Sequence, residues 1–431
     1  MKKIILAALA LAAAAQPAAA QDKPAAKRTY VQAGTLLADP ASGRVEKSKT
    51  VVVENGRVVE IRDGFVGEGD VVDLRDAFVL PGLIDSHVHI TFESGAGNRL
   101  DAVTKTSADE VLDGVVYANR TVRAGFTTVA NLGSGPDAIN ALRDAVAAGK
   151  VPGPRIVAGG AVAAHGGHGD AHGFNREIME LMRPKTLCSG ADDCVRAVRL
   201  AVQQGADIIK TASTGGVMSD TAAGLGQQMS DDELVAIVQT AHRLGRKVAA
   251  HAHGTDGVNA ALRAGVDSIE HGTYLDPESI RLFKASGAYL VPTLLAGDTV
   301  KRQAETAEWM PANVRAKART VGPLMVDALR RAHRAGVKIA FGTDSAVSPH
   351  GDNAQEFALM VEAGMTPLDT IRAATVWGAD HLGLSNEIGS IARGKAADIV
   401  AVRGDPLRDV RVLEHMAFVM KGGTVVRATA D

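Results

Sequence analysis

The chain has 431 residues, 46% of them hydrophobic, and a formal net charge of −2. This composition excludes a disordered protein, and the charge balance gives no reason to expect nucleic acid as a partner. Two cysteines exclude a disulfide-stapled scaffold and a cysteine-rich zinc module, while 46 glycines and 13 histidines stand out.

Residues 1–20 open with Lys2 and Lys3, continue through an apolar run over 4–15, and end in Ala18-Ala19-Ala20. This is the pattern of a secretory signal peptide with cleavage near Ala20. The apolar run is too short to span a bilayer, and no other stretch reaches the ~18 apolar residues a membrane helix needs. The expected mature protein is periplasmic or secreted, with no stable membrane insertion. In such a compartment Cys188 and Cys194 form either a small-loop disulfide or two free buried thiols, and the sequence leaves both open.

Residues 28–77 alternate in strand fashion around turns, as in Val51-Val52-Val53-Glu54-Asn55-Gly56-Arg57-Val58-Val59, where Asn55-Gly56 signals a hairpin. From residue 80 to 343 the pattern changes. Helical stretches end in Gly125, Gly205, Gly245, Gly265, Gly287 and Gly336, each followed within a few residues by a short apolar run. A glycine there supplies the left-handed residue that closes a helix. With residues 78–84 and 155–157 there are eight such runs, alternating with helices. Continuous apolar strands between helices are parallel and buried on both faces, and eight units close into a (β/α)8 barrel. An open doubly wound sheet would carry a glycine-rich phosphate loop after its first strand, and none is present. The C-terminal stretches 398–402 and 417–426 return to strand character. The expected organisation is α/β: a signal peptide over 1–20, a barrel over 81–386, and a small composite β-sandwich from 21–80 and 387–431.

In a β/α barrel the chemistry lies at the C-terminal ends of the strands. Strand one ends in Asp85-Ser86-His87-Val88-His89, and a period of two turns His87 and His89 to one side, where both can hold one metal. Strand four ends in Lys210, strand five in His251, strand six in His271 and strand eight in Gly342-Thr343-Asp344. Taken singly each has an ordinary explanation: an accidental His-x-His pair, an ion-paired lysine, an aspartate capping a helix. Ligand-type residues at five separate strand ends point jointly to a metal site.

Pro81-Gly82-Leu83-Ile84-Asp85-Ser86-His87-Val88-His89, with the later strand-end residues, resembles the amidohydrolase superfamily over nearly the whole mature chain. Ile209-Lys210, Gly215-Gly216, His251-Ala252-His253-Gly254 and Ile269-Glu270-His271-Gly272-Thr273 resemble the branch of Xaa-Pro dipeptidases, related carboxypeptidases and ochratoxin-hydrolysing amidases, with imidazolonepropionases further off. The resemblance implies two divalent ions, Zn²⁺ by donor type. His87 and His89 would hold the more buried ion, and His251 and His271 the second. Lys210, carboxylated on its amine, would bridge them, and Asp344 would contact the first. It further implies a hydroxide between the ions as nucleophile, with Asp344 as proton carrier. His165, in the His-rich loop over 164–173 that follows strand three, is the positional match for a carbonyl-polarising histidine. His253 is assigned to substrate or to support of the ligands, and the backbone of Gly215 and Gly216 either to a substrate carboxylate or to a tight structural turn.

The resemblance implies a small-molecule or dipeptide substrate and a homo-oligomer, an octamer being one count found in that branch. The preferred activity is hydrolysis of an amide or peptide bond to a C-terminal amino acid: an Xaa-Pro dipeptide, an N-acyl amino acid or an ochratoxin-like aryl amide. The alternatives are a cyclic-amide hydrolase of the imidazolonepropionase or dihydroorotase kind, and a non-catalytic assembly protein on the same scaffold. Export speaks against cyclic intermediates of the cytoplasm, and the complete ligand set speaks against the assembly protein.

Overall fold

The computed structural model describes residues 28–219 and 224–428, so the expected signal peptide lies outside the described residues. Four strands come first: β1 (Arg28–Leu36), β2 (Glu46–Glu54), β3 (Arg57–Asp63) and β4 (Asp70–Pro81). The β2–β3 turn is the Asn55-Gly56 hairpin, with φ of 51° and 77°. Both residues adopt the left-handed backbone a two-residue turn of this hand demands.

The barrel strands follow: β5 (Leu83–Val88), β6 (Phe126–Asn131), β7 (Arg155–Ala164), then a two-residue side strand β8 (Leu187–Cys188) paired with β7. They continue as β9 (Ile208–Ala212), β10 (Lys247–Ala252), β11 (Ser268–His271), β12 (Tyr289–Val291) and β13 (Lys338–Ile339). Neighbours pair in parallel in the order β13-β12-β11-β10-β9-β7-β6-β5. Backbone bonds from Ser86 N to Phe341 O (2.8 Å), Asp344 N to His87 O (2.7 Å) and His89 N to Ser345 O (2.7 Å) join the first strand to the last and close the ring. The six glycines read as helix ends all have φ between 70° and 101°.

The chain then returns as β14 (Ile399–Val402), β15 (Met416–Lys421) and β16 (Thr424–Ala428). These extend the N-terminal strands into one seven-stranded sheet, β16-β15-β14-β4-β1-β2-β3. The sheet curls on itself: a Cβ at Gly56 would lie 2.7 Å from the Gly422 carbonyl oxygen, so the β2–β3 turn meets the β15–β16 turn. Val31, Val51 and Val79 from one end of the chain share a core cluster with Ile399, Phe418 and Met420 from the other.

One boundary differs from the sequence expectation. Phe78 to Pro81, read above as the start of barrel strand one, pair with β14 in the outer sheet. The barrel strand begins at Leu83. Gly82 makes the crossing between sheets, where a Cβ would come within 2.2 Å of Thr127 Oγ1. Ser230 and Glu233 form the expected capping box at the start of helix Asp231–Arg243. Cys188 and Cys194 are joined in a disulfide, which resolves the alternative the sequence left open. Among the described residues no helix is long and apolar enough to cross a membrane.

Candidate metal centre

The base of the site is a buried polar knot. Asp85 accepts the backbone N–H of His87 and of Thr343, each at 3.1 Å, the Thr343 hydroxyl at 2.6 Å and the Asn353 amide at 2.8 Å. Burial raises its pKa to about 6 against the pull of these bonds. The knot ties the first barrel strand to the last, and so fixes His87 against Asp344.

His87 and His89 each commit one ring nitrogen to a partner. His87 Nδ1 lies 2.8 Å from Glu270 Oε2, and His89 Nδ1 lies 2.8 Å from the Gly133 carbonyl oxygen. Each Nδ1–H donates there, which leaves the Nε2 lone pairs facing inward. They converge on Asp344 Oδ1, at 3.4 Å from His87 and 3.0 Å from His89. Burial opposes ionisation of Asp344, but the fields of His87 and His89 prevail and hold its pKa low, at about 2.

Opposite them, His251, His253 and His271 offer ligand atoms that all lie within 4.8 Å of one another, as do those of His87, His89 and Asp344. His271 Nδ1 donates to Thr293 Oγ1 and His253 Nδ1 to Thr273 Oγ1, both at 2.7 Å, again freeing Nε2. Lys210 Nζ lies 3.4 Å from His87 Nε2 and lines the same chamber as both groups. Burial lowers the Lys210 pKa, and burial likewise pushes His87, His251 and His271 well below the ordinary histidine value. A neutral amine and neutral imidazoles are the forms that bind carbon dioxide and metal. His253, expected in a supporting or substrate role, therefore stands within the second group rather than behind it.

Three residues here carry left-handed backbone although none is glycine: His271 (φ 71°), Thr293 (φ 49°) and Asp344 (φ 58°). Such conformations persist where the surrounding contacts over-determine them, and they cluster at functional sites. At His271 the turn has a direct consequence. Strict alternation would send Glu270 and His271 to opposite faces, yet Glu270 bonds to His87 and the His271 ring lies 5.2 Å from the His87 ring.

His165 does not join the ligand groups. His165 is exposed, and its Nδ1 lies 2.9 Å from Ser189 Oγ, turned away from the ligand groups. His168, three residues on, takes the inner position: its ring stacks on His251 with centroids 3.9 Å apart and planes 21° apart. The loop turns at Gly166, φ 71°, and the His168 N–H donates to Gln228 Oε1 at 2.7 Å, which sets that register. Of the two readings of Gly215 and Gly216, the tight turn is the one their contacts match. The Gly215 N–H donates to Gly226 O at 3.1 Å and is not free for a ligand. Both positions need glycine for space: a Cβ would lie 1.9 Å from the Gly224 carbonyl oxygen at Gly215 and 2.5 Å from the His168 ring at Gly216.

The ligand groups and His168 open into one chamber of about 550 Å³ whose remaining wall is mainly apolar, with Phe92, Leu132, Val217, Met218, Val300 and Val347. Imidazole nitrogens with their second nitrogens anchored, one ionised carboxylate and one buried lysine amine form a donor set that fits two divalent ions of the zinc class. Glu270, Thr293 and His168 were not singled out by sequence reasoning. Glu270 adjoins a ligand and was visible to that extent; nothing in the glycine-rich loop distinguishes His168 from His165.

The amidohydrolase family model matches residues 78–428. Ochratoxinase from Aspergillus niger is 32% identical over 371 residues, 81% of this chain and 75% of that protein. A crystal structure of a Xaa-Pro dipeptidase with methionine bound in its active site superposes with a TM-score of 0.88 at 38% identity, covering 93% of this chain and 99% of that one. A prolidase complexed with N-methylphosphonate-L-proline gives 0.84 at 30% identity, over 94% of this chain and 100% of that one. With the ligand geometry and the barrel on which it stands, these likenesses establish that the chain belongs to the amidohydrolase family.

Proposed function

We propose that this protein is an exported binuclear zinc hydrolase that cleaves the amide bond joining an apolar acyl or aminoacyl group to a C-terminal amino acid. One observation carries this reading: the two ligand groups converge, together with Lys210, at the floor of a chamber large enough for a dipeptide-sized molecule and mainly apolar in its walls. In this reading His87, His89 and Asp344 would hold one ion and His251 and His271 the other, and Lys210, as its carbamate, would supply them with oxygen ligands. Bound there, the ions would acidify a water molecule and polarise the substrate carbonyl.

The residues of the chain supply the rest. Asp344, ionised and turned toward both ligand groups, accepts the proton of the attacking water and returns it to the leaving nitrogen. His168 stays neutral, because burial depresses its pKa to about 3. With Ser219 Oγ–H donating to its Nδ1, its proton sits on Nε2 and donates to the carbonyl oxygen as charge develops. The apolar wall excludes water and accepts the substrate's side chains. The ochratoxinase and the Xaa-Pro dipeptidase in the comparisons support an amide with a free amino-acid carboxylate.

The Cys188–Cys194 disulfide supports an oxidising compartment and thereby export. Leu100, Val103, Leu112 and Val116, exposed on two successive helices, support a homo-oligomer.

The test is a panel of Xaa-Pro and other dipeptides, N-acyl amino acids and ochratoxin A, offered to protein loaded with Zn²⁺ and bicarbonate, with released amino acid as readout. Release is expected from linear amides and is expected to fall at least ~100-fold in kcat for Asp344→Asn with both metals retained. Activity confined to cyclic lactams or imidazolones would overturn the reading.

A further inference from the structure

Among the described residues, Glu110 is the ionisable residue of the chamber wall that stands outside the two ligand groups, Lys210 and His168. Glu110 lies in the first turn of helix Ser107–Arg123 and borders both the metal chamber and an adjoining one of about 400 Å³. The other acids of the adjoining chamber have partners. Asp101 and Asp113 hold Lys105 at 3.1 and 2.8 Å, and Glu93 faces Arg120 at 3.6 Å and accepts the His350 N–H at 2.7 Å. The Glu110 carboxylate makes no hydrogen bond or ion pair among the described residues. Partial burial raises its pKa, as expected for a carboxylate whose charge is incompletely compensated.

A structural role does not account for this placement. The helix is already capped by Thr106 and Asp109, which form a capping box, and Asp109 supplies a negative charge to the first turn. Glu110 instead lies against the loop that follows β6: its Oε2 would be 3.3 Å from a Cβ on Gly135, two residues beyond the carbonyl that orients His89. Thr91 and Ser134, whose hydroxyls are 2.8 Å apart, line the same chamber. An ammonium has three N–H donors and no acceptor, so a chamber wall that offers one carboxylate and two hydroxyls matches it. A substrate carboxylate would be repelled from this wall.

We propose that Glu110 sets specificity by binding the free α-ammonium of a dipeptide's N-terminal residue, so that the enzyme selects unblocked dipeptides with an apolar first residue over acylated amino acids. This rests on the hydrolytic reading above and narrows its substrate class.

The decisive pair of substrates is Leu-Phe and 4-methylpentanoyl-Phe, which is the same molecule without the ammonium. A hydrogen-bonded charge predicts a ~10–100-fold preference in kcat/KM for Leu-Phe in the zinc-loaded wild type. In Glu110→Gln that ratio is expected to collapse toward one, with an unchanged melting temperature and metal content. A wild-type ratio near one, or a ratio that survives the substitution, would overturn the proposal. If neither compound is cleaved, the wider substrate panel decides the hydrolytic reading, and calorimetric titration with L-leucinamide and 4-methylpentanamide decides the role of Glu110. Ammonium-selective binding lost in Glu110→Gln supports it, and equal binding of the two amides overturns it.

Discussion

His168 lies face to face with His251, their ring centroids 3.9 Å apart, across a gap kept open by the missing side chain of Gly216. The stack fixes a neutral imidazole beside the ligand group of His251, His253 and His271, where in the proposed reaction a substrate carbonyl oxygen would gain charge. Replacing His168 with Ala is expected to lower kcat by ~100–1,000-fold, the usual cost of removing one oxyanion donor, while both metals are retained. His165, exposed and bonded to Ser189, is expected to tolerate the same change within about twofold. Steady-state kinetics of the two variants side by side check this; a large loss at His165 with none at His168 would reverse the assignment.

Glu270 is fully buried, and among the described residues its carboxylate bonds to His87 Nδ1 and to Ser268 Oγ, the latter at 2.6 Å. A carboxylate behind a ligating histidine fixes the ring and raises its basicity, and losing such a partner costs ~10–100-fold in metal affinity. Glu270→Gln keeps the shape and one acceptor but removes the charge. Elemental analysis after dialysis against a graded chelator is expected to show one ion leaving at ~10–100-fold lower chelator strength than in the wild type. Two ions held as tightly as in the wild type would show that Glu270 only fills space.

The residues that meet in the candidate site were legible because barrel chemistry sits at strand ends and the glycines that close the helices mark where each strand starts. His87, Lys210, His251 and His271 could therefore be placed by counting a few residues along each apolar run. Positions that depend on the path of irregular backbone could not. The choice of His168 over His165 is made by the turn at Gly166 and the bond to Gln228, sixty residues away. The roles of Gly215 and Gly216 depend on contacts with Gly224 and His168 that no local pattern announces. Glu270 escaped because alternation along an extended strand puts it on the wrong face, and only the left-handed turn at His271 brings both inward.

The disulfide has a mechanical consequence for the site. Cys188 belongs to β8, which pairs with the end of β7 through Ala163–Leu187 and Ala164–Cys188, and the Cys188 carbonyl oxygen accepts the His165 N–H at 3.3 Å. Cys194 lies in the first turn of helix Ala191–Gln203. The bond thus anchors the base of the loop that carries His168 to a helix of the outer ring. Closing so small a loop stabilises by about 2 kcal/mol in the chain-entropy picture. The double substitution Cys188→Ser with Cys194→Ser is expected to lower the urea-unfolding free energy by about that amount and to reduce kcat while leaving metal content at the wild-type value. Unchanged kcat despite the stability loss would separate the disulfide from the positioning of His168.

Glu356 supplies a pH dependence that can be assigned to one residue outside the ligand groups. Its carboxylate is fully buried and accepts the backbone N–H groups of Leu294 (2.9 Å) and Leu295 (2.6 Å), next to the strained Thr293 that receives His271. Burial raises its pKa from 4.5 to about 8, against the pull of the two backbone bonds and with help from nearby Asp85. Between those values the folded chain keeps a proton that the unfolded chain releases. The stabilisation is therefore complete below about pH 4.5 and is lost as pH rises through about 8, at no more than ~1.4 kcal/mol per pH unit. Glu356→Gln removes this titration while keeping one acceptor for the two N–H groups, so at pH 5 the variant is expected to be less stable by roughly 1 kcal/mol. From pH 5 to pH 8 the wild type should lose stability relative to the variant, by a few kcal/mol at most, and the order of the two can invert. Urea unfolding of both proteins at half-unit steps across that range measures the difference; two parallel pH profiles would show that Glu356 does not titrate there.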